Sequence, residues 1–365
     1  MMDKELEHRH GGIHPADFSR LNLTQRAVID FSVNLNPLGP PPIIRERWME
    51  LLGEIENYPT PAGDGVSRYY EKRYGISPAN FVAGNGSTEL IYLVPRALCL
   101  KQVIIVMPSY YDYLRASFLA GGEVIHYHLS QGNGFFSLGR DEIIEILKDG
   151  DALWMGNPNN PTGSLFPKDL ILEISGKYPE KWIIIDEAFM PFVEEREDFS
   201  LLTHQGRKNI LVIHSLTKFY ALAGLRIGGI IAHSEVIARF RRFKEPWTVN
   251  RVAEKIAPLL LECRDYEEKS VSLIKEERER LVKALGKTRG VVPCVSAANF
   301  VLCQWQLTDN LDDLLTHLIS EGIYVRDCRN FCGLEKNWFR MAVRSPEEND
   351  RLVASIGSFP GRSDD

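Results

Sequence analysis

The residues best suited to chemistry lie in one stretch, Ser215-Leu216-Thr217-Lys218, which continues through Gly224 to Arg226. Before it runs Ile210-Leu211-Val212-Ile213, a short apolar run of the kind that forms a buried strand. A lysine at the end of such a strand is poorly placed for stability, because lysine is rarely fully buried unless it is paired or chemically used. Desolvation there lowers its pKa and makes its amine a nucleophile. The hydroxyls of Ser215 and Thr217 flank it, and Arg226 follows eight residues later. Together they offer an amine to carry an aldehyde, and hydroxyls with a guanidinium to hold a phosphate. A lone strand-end lysine would point into solvent; these neighbours set this one apart.

Other residues extend that chemistry. Asp186 ends the apolar run Trp182-Ile183-Ile184-Ile185, where an unpaired carboxylate is costly to bury. Beside a pyridine nitrogen it would keep the ring protonated and so maintain an electron sink; alone it could equally cap a helix or pair with a cation. Asn160, in Gly156-Asn157-Pro158-Asn159-Asn160-Pro161, could donate to a phenolic oxygen or serve only as a turn asparagine. Tyr110 could stack on a ring face or pack in a core. Ser87 and Thr88 begin a helix after Gly84-Asn85-Gly86, where free N–H groups and the positive dipole end suit an anion, although such residues also cap helices for stability. Tyr58, ahead of a proline, could reach a phosphate. Aldehyde, ring and phosphate together are what pyridoxal 5'-phosphate requires of a protein.

The elements that must position these residues follow from the pattern. Apolar strands alternate with helical stretches, which predicts an α/β fold with a mostly parallel central sheet between helices. In such sheets ligands bind beyond the carboxyl ends of the strands. Ser87, Tyr110, Asn160, Asp186 and Lys218 all fall at or just after a strand end. From Val249 the pattern becomes a long charged helix to about residue 287, with a break near Pro258. A strand at 299–305, a helix at 311–321 and strands near 323–325 and 338–343 then form a small α+β unit. The expected organisation is an N-terminal arm (1–44) joined to a small domain (251–365), around a large domain (45–250).

Composition excludes other classes. The 365 residues are 44% apolar and 25% charged with a net charge of −6, ordinary for a soluble globular protein. No basic run tracks a nucleic-acid backbone, so no nucleic-acid partner is expected. No apolar run reaches spanning length, and Met-Met-Asp-Lys-Glu-Leu-Glu-His lacks a signal-peptide core; the expectation is a cytoplasmic protein without membrane contact. The six cysteines are scattered. Cys328 and Cys332 are four apart, but no CxxC pair or nearby histidine completes a metal set, so free thiols and no metal are expected.

NPNNPTG at 157–163, DEAF at 186–189 and SLTKFYALAGLR at 215–226, in that order, resemble the fold-type-I aminotransferase superfamily over nearly the whole chain. The resemblance implies a pyridoxal-phosphate enzyme with Lys218 as the Schiff-base lysine and Asp186 as partner of the pyridine nitrogen. It implies Asn160 on the phenolic oxygen, Tyr110 on the ring, and Ser87, Thr88, Ser215 and Arg226 on the phosphate. Arg340 matches an arginine that grips a substrate carboxylate. Tyr58 matches a tyrosine that reaches the neighbouring subunit's cofactor, which implies a homodimer with shared active sites. Within the superfamily the chain is similar to histidinol-phosphate aminotransferases and to threonine-phosphate decarboxylases of cobalamin biosynthesis. His10-Gly11-Gly12, the stretch Asp30–Pro42, Phe189 in place of a tyrosine, Pro246–Asn250 and IYVRDCRNFCGL at 323–334 favour the second group. That likeness implies a phosphorylated amino acid as substrate, contacted by His10, Gly11, Asn34, Asn160, Arg326 and Arg340. The reaction implied is decarboxylation of O-phospho-L-threonine to (R)-1-amino-2-propanol phosphate, with transamination as the alternative.

Overall fold

Strands of unbroken apolar sequence need cover on both faces, and the architecture supplies it. The computed structural model describes residues 11–13, 28–204, 206–334 and 336–360. A short strand, β1 (Ile29–Asp30), precedes β2 (Phe81–Asn85), β3 (Gln102–Met107) and β4 (Glu123–His128). After a hairpin of β5 (Ser130–Gly132) and β6 (Phe135–Ser137) come β7 (Ala152–Gly156), β8 (Trp182–Asp186), β9 (Ile210–Ser215) and β10 (Ile227–Ala232). The large sheet has the order β2-β10-β9-β8-β7-β3-β4. From β9 through β4 every pairing is parallel, while β10 runs antiparallel to both β9 and β2. The expected mostly parallel sheet is therefore present, with one reversed strand.

Period-two alternation divides each central strand between two cores. Ile210 and Val212 of β9 face one, Leu211 and Ile213 the other; Ile183 and Ile185 of β8 oppose Ile184 in the same way. One core is closed by the helices Gly86–Leu98, Tyr111–Leu119 and Ser234–Phe243. The second core runs on into the C-terminal part of the chain. There β11 (Val291–Pro293), β12 (Phe300–Trp305), β13 (Ile323–Tyr324), β14 (Arg326–Asp327) and β15 (Trp338–Ala342) appear in turn. Four of them form an antiparallel sheet, β11-β12-β15-β14. The fifth, β13, pairs in parallel with β1, so the N-terminal segment docks on the C-terminal part of the molecule.

The stretch from Ile43 to Leu52 has the apolar periodicity of a helix, and in the structure it divides at Arg47 into Pro42–Glu46 and Trp48–Leu52. The long helix after Val249 breaks near Pro258 as expected: Pro258 sits in the last turn of Arg251–Leu259, and the break spans the residues between it and Arg264–Leu285. Helix Arg251–Leu259 packs against Asp64–Tyr74, beside the large sheet. No helix among the described residues is long and apolar enough to cross a membrane.

Candidate active site

The carboxyl ends of the parallel strands open into a cavity of about 350 Å3. Eleven of the residues singled out above line it: Gly11, Asn34, Ser87, Thr88, Tyr110, Asn160, Asp186, Ser215, Lys218, Arg226 and Arg340. They arrive from five strand ends, the N-terminal segment and β15, which is why no single motif contains the site.

At one end of the cavity, β2 turns directly into the helix Gly86–Leu98, whose first turn carries Ser87 and Thr88. Arg226 packs over that turn, with Nη2 donating to Thr88 Oγ1 at 3.3 Å. Gly86 makes the approach possible. Its φ is +75°, and a Cβ there would lie 2.6 Å from Arg226 Nη2. A guanidinium at the positive end of a helix is electrostatically unfavourable by itself, and Arg226 forms no ion pair among the described residues. Hydroxyls, free helix N–H groups and a cation thus converge as an anion site. Ser215 closes it from β9, where its Oγ also accepts from the Thr217 N–H at 3.3 Å.

The middle of the cavity holds the acid and the amine. Asp186 is buried at the end of β8 and accepts from Tyr113 Oη at 2.8 Å and from the Ala188 N–H at 2.9 Å. Burial pushes its carboxyl up, against the opposing pull of those bonds and of Lys218. A protonated ring nitrogen beside it would restore the lost solvation. Lys218 is largely removed from water, and burial, then the charge of Arg226, push its amine down to about 8. Phe189 borders the same space and meets Phe300 edge to face at 5.0 Å.

The far end is built around Arg340, buried on β15. Its Nη1 donates to Asn160 Oδ1, and its Nη2 donates to the Ser32 carbonyl at 3.1 Å. The Asn34 amide oxygen accepts from both terminal nitrogens at 3.3 Å. Because Asn160 Oδ1 is engaged, its NH2 group is left to donate into the cavity. Burial pushes the Arg340 guanidinium down to about 10, and its Nε is a buried donor with no partner among the described residues. That orphaned donor calls for an anion. Ser32 also fastens the N-terminal segment: Gly12 N–H donates to Ser32 Oγ at 2.7 Å, and Ser32 Oγ donates to Asp30 Oδ1 at 2.6 Å.

Two expected residues that the structure describes, Tyr58 and Arg326, are not among the cavity's lining. Tyr58 is 86% exposed and meets Trp247 at 6.1 Å. Arg326 stands opposite Arg340 in the β14–β15 register but turns to the Asp327 carbonyl and, at 3.0 Å, to Asn330 Oδ1. His10 lies outside the described residues. Asn36, read alongside Asn34, is structural: its NH2 group donates to the Phe219 carbonyl at 2.8 Å and to Ser270 Oγ at 2.7 Å. Sequence reasoning missed Tyr113 and Ser32. Tyr113 is three residues after Tyr110, the spacing of neighbours on one helix face, so that signal was available. Nothing in the sequence placed Ser32 against Arg340. No histidine lies near Cys332 in the sequence, but the fold brings His126 to it from a distant strand.

The donor set fits pyridoxal phosphate at each of its parts. An amine of lowered pKa would suit the aldehyde, a buried carboxylate the ring nitrogen, and an uncompensated cation at a helix start the phosphate. A parallel sheet with such a site at its carboxyl edge defines a class of pyridoxal-phosphate enzyme. Residues 26–356 match the family model for aminotransferase class I and II, and the chain belongs to that family. It is a pyridoxal-phosphate-dependent enzyme. The chain is 31% identical to a threonine-phosphate decarboxylase of Salmonella typhimurium, over 95% of each chain. It is 32% identical to a histidinol-phosphate aminotransferase of Caldanaerobacter subterraneus, over 85% of this chain and 88% of that one. Among solved structures it resembles a histidinol-phosphate aminotransferase from Clostridium acetobutylicum, with a TM-score of 0.82 and 30% identity over 89% of this chain and 97% of the other.

Proposed function

We propose that the enzyme decarboxylates O-phospho-L-threonine to (R)-1-amino-2-propanol phosphate, a step of cobalamin biosynthesis. The observation that carries this reading is the docked N-terminal segment. Gly11 borders the cavity beside Asn34 and Arg340, and the Ser32 hydroxyl holds Gly12 in place. This His-Gly-Gly segment is the feature by which the sequence resembles the decarboxylases rather than the aminotransferases.

Lys218 would hold the cofactor, with Asp186 at its ring nitrogen, Tyr110 on its face, Asn160 at its phenolic oxygen, and Ser87, Thr88, Ser215 and Arg226 at its phosphate. When bound, the cofactor withdraws the electron pair of whichever bond at the substrate's Cα stands perpendicular to its ring. The chain decides which bond that is. Gly11, Asn34 and Arg340, which border the cavity, would grip the substrate's anionic groups and so select the carboxylate bond, a role the resemblance also implies for His10 and Arg326. A transaminating site would instead hold the Cα–H bond there. After carbon dioxide leaves, Cα needs a proton, and the Lys218 amine, released when the substrate's own amine takes its place, is the candidate donor.

Holoenzyme given O-phospho-L-threonine without any keto acid tests the reading. Continuous release of carbon dioxide is expected; a single half-turnover that resumes only when a keto acid is added would identify a transaminase. The two-unit division with its N-terminal arm belongs to the same proposal, supported by the β1–β13 pairing. So does a homodimer. Tyr58, Trp48, Met49, Leu52, Ile55 and Trp247 are exposed large side chains that a second copy would cover. Light scattering of the holoenzyme at micromolar concentration checks it, and a monomer would overturn it.

A further inference from the structure

His126 and His128 lie on β4, an edge strand of the large sheet that pairs with β3 alone among the described residues. Alternate residues share one face of a strand, so both imidazoles project together into solvent while Tyr127 turns into the core. The turn after β14 meets them there. Cys332 Sγ is 3.5 Å from His126 Nδ1, and one ligand atom from each of the three side chains lies within 4.8 Å of the others. The turn comes this close because residue 333 is a glycine at φ +88°; a Cβ there would stand 3.1 Å from His128 Nδ1. None of these residues lines the catalytic cavity.

We propose that His126, His128 and Cys332 bind one divalent transition-metal ion of the zinc type. Two imidazole nitrogens and a thiolate are a borderline-soft donor set that suits Zn2+ and disfavours the oxygen-seeking Ca2+ and Mg2+. With Zn–N at about 2.0–2.1 Å and Zn–S at about 2.3 Å, a tetrahedral centre separates nitrogen from sulfur by about 3.6 Å. The Cys332–His126 separation of 3.5 Å already matches. Exposure of all three residues leaves the fourth position to water. Binding takes the proton from the thiol and needs neutral imidazoles, so affinity rises with pH. The ion joins positions 206 residues apart, clipping the edge of the large sheet to the segment that follows Arg326.

Untagged holoenzyme, stripped by a chelator and titrated with Co2+ alone, tests this. A tetrahedral cobalt–thiolate centre absorbs strongly in the red, where pyridoxal phosphate does not. One Co2+ per chain is expected, displaced by Zn2+, with the red band lost in Cys332→Ser. Affinity should fall in His126→Ala and His128→Ala by more than the ~10–100-fold that loss of an outer supporting partner costs. Zn2+ should raise the unfolding midpoint of the unaltered protein and leave that of Cys332→Ser where it was. A wild-type protein without the red band, or a band that survives Cys332→Ser, would overturn the assignment.

Discussion

Replacing Arg226 by methionine distinguishes a charge kept for an anion from one kept for the fold. In the cofactor-free protein its guanidinium sits over the start of the Gly86–Leu98 helix and makes two long hydrogen bonds, 3.3 Å to Thr88 Oγ1 and 3.4 Å to the Ala223 carbonyl. Losing them costs at most ~0.5–1.5 kcal/mol each. Relieving a cation at a positive helix end returns ~0.3–1 kcal/mol. The stability of the apoprotein should therefore change by no more than about 3 kcal/mol. Cofactor affinity should respond differently, because charge-assisted bonds to a phosphate are worth ~1.5–3 kcal/mol, a weakening of ~10–150-fold. A third readout follows from Lys218, whose amine is held low chiefly by burial and next by Arg226; in the variant its pKa should climb. Urea unfolding of the apoprotein and fluorescence titration with pyridoxal phosphate measure the first two. A variant that loses several kcal/mol of apoprotein stability yet binds the cofactor within about threefold of normal would refute the reasoning, the ~1.4 kcal/mol per tenfold scale leaving no overlap between the outcomes.

Lys218 carries a pH signature of its own. Its folded pKa of about 8 lies below the ordinary 10.5, so the folded apoprotein binds fewer protons between those values and stability should rise with pH across that window. The rise should be missing from Lys218→Met in matched urea titrations; parallel curves for the two proteins would sink the assignment, as would a borohydride adduct forming in the variant. Asp186→Asn should lower kcat by at least ~100-fold, in line with the loss of a preorganised charge. Removing a desolvated carboxylate should at the same time leave the unfolding midpoint unchanged or raised. A variant retaining most of its kcat would remove Asp186 from the ring nitrogen.

The sheet was legible because its strands are continuous apolar runs, and residues at strand ends are marked by the abrupt change to polar sequence. That one signal located Ser87, Tyr110, Asn160, Asp186 and Lys218 together. It said nothing of strand direction, since β10 is as apolar as its parallel neighbours and a buried strand reads alike both ways. Contacts between distant segments were illegible for a different reason. The Ser32 carbonyl that accepts from Arg340 is a backbone group, and backbone groups carry no residue code. The cluster on β4 needed two strand residues to meet a turn closed by Gly333, a convergence that neither local pattern announces. The division of the first helices at Arg47 likewise has no breaker residue behind it.

The reversed strand β10 has a consequence for how the enzyme is made. Thr88 and Arg226 are 138 positions apart, and among the described residues β2 pairs with β10 alone. At ~5–20 residues per second, a ribosome needs about 7–28 seconds to travel between them. During that interval the early helix has no guanidinium above it and the strand before it has an unpaired edge. The phosphate cradle is thus completed only once Arg226 has been made, and a protein truncated before that residue would lack both the guanidinium over the helix start and the strand that pairs with β2.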